Sequence, residues 1–105
     1  GISSAEMRRQ VVAARQIQAQ RFAGTNIRYN ADMTPRQIRQ YCRLTEEGRN
    51  LLRAAMQELG LSARAHDRVL RVARTIADLE GSPSIEPYHL SEAIQYRMLD
   101  RTLWT

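Results

Sequence analysis

The stretch Leu61–Gly81, LSARAHDRVLRVARTIADLEG, constrains this chain more than any other segment, because it suits an amphipathic helix and little else. Ala65, Val69, Val72, Ala73, Ile76 and Ala77 recur at helical spacing and fall on one arc. Ser62 stands where an N-cap belongs, and Gly81 where a helix favours a glycine stop. A helix over residues 62–80 must then bury its apolar arc against other elements. It also opens on a cation. Arg64 falls in the first turn, at the positive end of the helix dipole, where anions are favoured and cations are not. Helix N-termini bind phosphate readily, and an arginine fork adds a bidentate donor, so Arg64, with Ser62 as cap, is a candidate nucleotide sensor.

The flanking segments follow the same helical logic. Ser3 and Glu6 have capping-box spacing, and Met7, Val11, Ala14 and Phe22 give a narrow apolar seam on a helix over about residues 3–22. Residues 23–33 hold Gly, Asn and Asp without periodicity and read as a mobile loop. Thr34, Pro35 and Gln37 start a short helix to about residue 43. Thr45 caps the next, whose Leu51, Leu52, Ala55, Met56 and Leu59 share a face before Gly60 stops it near residue 59. Ile85 anchors an extended crossing, and Pro87 opens a last helix to about residue 99. Leu90, Ala93, Ile94 and Met98 face inward there, with Trp104 beyond its end. Nothing reads as a strand pair, so the expected fold is all-α, a small bundle of four to five helices in one domain over residues 1–105.

Composition removes several functions. All 16 basic residues are arginine, set against 11 acidic residues for a net charge of +5. Without lysine there is no phosphate-loop lysine and no Schiff base, so this segment alone is not expected to hydrolyse ATP. The single cysteine, Cys42, forms no internal disulfide; a buried small hydrophobe in a reducing cytosol is the expectation. The sequence holds no apolar run of membrane length, which points to a cytoplasmic domain with no membrane partner. His66 and His89 lie in different helices with no companion cysteine pair, so no metal site is expected. Gly1 opens the chain at a helix-capping sequence, which suggests a segment of something longer.

The motif LSARAHDRVLRVARTIADLEG, preceded by QYCRLTEEGRNLLRAAMQELG and followed by SIEPYHLSEAIQYR, resembles the C-terminal helical lid of the magnesium-chelatase-like AAA+ ATPases, specifically the YifB/ComM group. The resemblance extends over about residues 3–101. It implies an ATPase core upstream that supplies the phosphate loop and the magnesium-binding acidic motif. ATP and Mg are accordingly cofactors of the intact parent and are not held by this segment alone. By position, Arg64 matches the second sensor arginine of that family. The partners implied are the chain's own ATPase core, neighbouring subunits of a homo-oligomeric ring and, through the branch-migrating members of the group, DNA.

The remaining arginines admit two readings each. Arg68 and Arg71 continue from Arg64 and are candidates for an intersubunit or phosphate contact. Asp67 with Arg71 and Arg74 with Asp78 stand four apart, however, the spacing of ordinary ion pairs on a solvated helix face. Arg8, Arg15 and Arg21 on the first helix are weak candidates for DNA contact, against a solvated helix that docks on the ATPase core. The alternative to a lid is an independent helical module that binds an acidic protein or DNA through its arginines.

Overall fold

The computed structural model describes residues 3–104, with side chains through residue 96. The chain folds as an all-α bundle of five helices: α1 (Ser4–Arg21), α2 (Pro35–Tyr41), α3 (Glu46–Leu59), α4 (Ala63–Glu80) and α5 (Pro87–Trp104). A 3-10 turn, Asn30–Asp32, interrupts the connection between α1 and α2. Four helix starts are capped by hydroxyls. Ser3, Thr34, Thr45 and Ser62 each accept a hydrogen bond from the backbone N–H three residues on. At Thr34 the cap is reciprocal, because Gln37 Oε1 accepts from the Thr34 N–H at 3.0 Å. α3 and α4 both end on left-handed glycines, Gly60 (φ 63°) and Gly81 (φ 79°), a conformation open to glycine at no steric cost.

α4 is the central element, packed against α1, α2, α5 and the 3-10 turn. Val69, Leu70, Ala73 and Ala77 of α4 meet Phe22, Ile38, Leu52, Leu90 and Ile94 in one buried cluster. Removing a leucine or isoleucine side chain such as Leu90 or Ile85 from water contributes roughly 1.5–3 kcal/mol each, so this cluster carries the fold. Ile85 does anchor the crossing into α5: it is buried and makes an isolated parallel bridge with Leu44. α3 approaches α5 closely at Gly48, where a Cβ would stand 3.2 Å from Leu90 Cδ1.

Three expectations need correction. The α1 seam is covered only in its second half: Ala14 and Phe22 are buried, whereas Met7 and Val11 are 55% and 39% exposed because no described element lies over them. The connection after α1 is tied down. Asn30 is fully buried, takes Gln18 Oε1 onto its backbone N–H at 2.9 Å and donates its side-chain amide to Asp78 at 2.8 Å. Polar residues without periodicity thus form an anchored turn, because each buried polar group finds a partner. The last helix runs on to Trp104, past the expected end near residue 99. The inward face expected for Met98 and the packing of Trp104 lie outside the described side chains.

Candidate functional site

The N-terminus of α4 is built by its cap. Ser62, extended at φ −77° and ψ 169°, accepts from the Ala65 N–H at 3.2 Å and so fixes where the helix begins. Ala65, buried beneath the first turn, anchors that turn to the core. Arg64 is therefore held on the outer side of the turn, exposed, with no acidic residue in the turn to offset it. Its charge adds to the positive end of the dipole, and that combination suits an anion.

Arg68 follows Arg64 by one turn and is exposed, while Arg71 is half-buried. The ion pair expected between Asp67 and Arg71 is absent among the described residues. Asp67 instead meets His66 Nδ1 at 3.2 Å, and Arg71 reaches the Met33 carbonyl at 3.5 Å. The 64, 68 and 71 positions follow one another along one face of α4, with Arg71 turned to the Met33 carbonyl and not to Asp67.

Two arginines turn inward where a solvated position was expected. Arg74 and Asp78 do pair, at 3.2 Å, but both are buried and not on a solvated face. Arg74 Nη2 donates to the Ser82 carbonyl at 2.9 Å and its Nη1 to the Pro83 carbonyl at 3.3 Å, so this side chain closes the turn after α4. Burial pulls the Arg74 pKa down, and the Asp78 charge opposes that shift. Arg21 turns inward as well. It lies 11% exposed with both terminal guanidinium nitrogens on Asp78, so its side chain is engaged within the domain. Of the three DNA candidates, Arg8 and Arg15 remain exposed.

One functional-looking residue is structural for a reason that spacing hid. His89 is fully buried and its Nδ1 accepts from the Glu86 N–H at 2.8 Å, doing for α5 what a glutamine at the third position does in a capping box. Its Nε2 lies 3.3 Å from Glu80 Oε2 on α4, without hydrogen-bond geometry. The offset from Pro87 was the available signal. Neither histidine belongs to a group that could hold a metal ion among the described residues. No helix of the described residues is long and apolar enough to cross a membrane.

Comparison with known proteins places this geometry in a family. A family model described as magnesium chelatase, subunit ChlI C-terminal, matches residues 1–97. YifB of Escherichia coli is 44% identical over 103 residues, covering 98% of this chain and 20% of that protein. The competence protein ComM of Haemophilus influenzae is 42% identical over 103 residues, covering 98% of this chain and 19% of its own length. A protein of Mycobacterium tuberculosis is 35% identical over 99 residues. The chain thus spans about a fifth of the length of the relatives it matches. With a family match over residues 1–97 and relatives of 42–44% identity along 98% of its length, this chain belongs to the C-terminal domain family of the magnesium-chelatase-like proteins, alongside YifB and ComM.

Proposed function

We propose that this domain is the lid of a ring-forming AAA+ ATPase of the YifB/ComM type, in which Arg64 senses the terminal phosphate of ATP. The observation that carries the reading is an exposed arginine in the first turn of α4, where the dipole disfavours it unless an anion is supplied. The rest of α4 is fixed rigidly to the core by Val69, Ala73 and Ala77, so a pull on Arg64 moves the domain as a body. ATP and Mg belong to the parent's core. The described residues hold no acidic cluster that fits a metal ion, and this domain offers the nucleotide a guanidinium only. Arg68 and Arg71 extend the cationic surface toward a neighbouring subunit. The uncovered Met7, Val11 and Val12 support α1 as the face that docks on the upstream core.

The resemblance to the YifB/ComM group makes DNA the substrate proposed for the motor, with branch migration as the proposed activity; the name of the Haemophilus influenzae relative speaks of competence alone. The decisive test is Arg64→Ala in the intact ATPase. Turnover falls by at least about tenfold, or about 1.4 kcal/mol of transition-state stabilisation. Unchanged turnover together with unchanged nucleotide affinity would sink the sensor role.

A further inference from the structure

Away from Arg64, the surface where α2, α3 and the start of α4 meet carries a groove. Two adjoining hollows of about 270 and about 320 Å³ share Leu44, Arg49 and His66, and so form one continuous depression. Its floor is apolar: half-buried Leu44 and Met56 line it, set over the buried core residues Ile38 and Leu52. Its rim is cationic. Arg39, Arg49 and Arg53 line it and are exposed, and the only carboxylate in the lining is Asp67, which is engaged by His66 at 3.2 Å.

The excess charge there is local and uncompensated. Residues 36–57 hold Arg36, Arg39, Arg43, Arg49 and Arg53 against Glu46 and Glu47, and those two glutamates sit in the first turn of α3, where they serve the helix dipole. No ion pair engages Arg39, Arg49 or Arg53 among the described residues. Arg49 spends one donor on the Leu44 carbonyl at 3.0 Å, which steadies it at the centre of the rim.

From this arrangement we infer that the groove between α2, α3 and α4 docks an acidic amphipathic helix of a protein partner. Aliphatic side chains at helical spacing fill the hollows, and carboxylates on either flank meet Arg39, Arg49 and Arg53. Charge complementarity selects the acidic partner, and the floor selects protein over nucleic acid. A phosphate backbone uses the arginines but gives an apolar floor nothing to bury, and among the described residues no Phe, Tyr or Trp lines the groove to stack a base. The inference goes beyond the nucleotide-sensing reading, because Arg64 does not line the groove.

The test uses the 105-residue chain and a fluorescein-labelled helix-forming peptide of about 18 residues, long enough to hold a helix, with a leucine stripe flanked by glutamates. Fluorescence anisotropy at about 0.15 M salt, where diffuse attraction is screened, should show saturable binding. Replacing the leucines by glutamine should weaken it at least about tenfold, as should the double change Arg39→Glu with Arg53→Glu. The milder pair Arg39→Gln with Arg53→Gln serves if circular dichroism shows the first variant unfolded. Arg9→Glu with Arg28→Glu makes the same change of charge outside the groove and should leave binding unchanged. Equal loss in that control variant, displacement of the peptide by a duplex DNA at equal concentration, or no binding at all would each overturn the docking groove.

Discussion

Arg21 of α1 clasps Asp78 of α4 with both guanidinium nitrogens, at 2.7 and 2.8 Å, across 57 residues of chain. Asp78 is 1% exposed and also pairs with Arg74 and accepts from Asn30, so one buried carboxylate balances two guanidiniums and secures the turn before α2. The carbonyl of Arg21 in turn accepts from Tyr41 Oη at 3.2 Å, joining α2 to the same centre. This is the polar counterpart of the aliphatic cluster.

Asp78→Ala should therefore be severe. It leaves Arg21 and Arg74 facing each other in low dielectric with no carboxylate, at a cost of roughly 3–5 kcal/mol. Arg21→Met, which keeps volume and removes one of the two cations, should cost distinctly less. Urea denaturation of the two variants, read as midpoint and slope, separates these cases; equal losses contradict the account.

Arg64→Ala should behave in the opposite way. Because Arg64 is exposed and opposes the dipole, its loss should change the stability of this domain by no more than about 0.5 kcal/mol, in the stabilising direction if at all. Thermal melts of this chain check it. Such a result makes any loss of turnover in the intact ATPase attributable to chemistry and not to folding.

His89→Leu should cost about 1 kcal/mol, since the half-buried Glu86 N–H loses its acceptor. His89→Gln places an amide oxygen at the same capping position and should recover part of that loss. Hydrogen exchange at the Glu86 amide reports the cap directly: fast exchange in the leucine variant and partial protection in the glutamine variant are expected.

Cys42 should make the fold sensitive to alkali. Burial pushes its thiol up to about 11 from 9.0, with Arg74 opposing the shift. In the unfolded chain the thiol ionises first, so the unfolded state binds fewer protons and stability falls as pH rises between about 9 and 11. The full loss is of order 2–3 kcal/mol from a shift of that size. Denaturation of Cys42→Ala across the same range should lack this component, and parallel pH profiles for the two proteins would contradict it.

Local information made much of this legible. The hydroxyl caps at Ser3, Thr34, Thr45 and Ser62, the glycine stops at Gly60 and Gly81, and the apolar arc of α4 are all short-range features, and each forms where its residues stand. Capping and periodicity act within a few residues of backbone, so they survive any change of context. The same reasoning failed at Arg74. An Arg–Asp spacing of four looks identical on a solvated face and in a buried one, and nothing local distinguishes an arginine aimed at solvent from one aimed at Asp78.

What the amino-acid order determined by itself is the five α-helices with their capped starts, the glycine stops of α3 and α4, the all-α class and the exposed cation at the start of α4, because these depend on neighbours in the chain. What only the tertiary structure decided is which polar groups are drawn inside. Gln18, Asn30 and Asp78 are buried with partners from separate segments, Arg74 and His89 are held mainly by groups within nine residues, and Met7 and Val11 stay uncovered because no described element reaches them. Burial of a polar group is favourable only when its partner arrives with it, and for Asp78 that partner arrives with the packing of α1 and the 3-10 turn on α4.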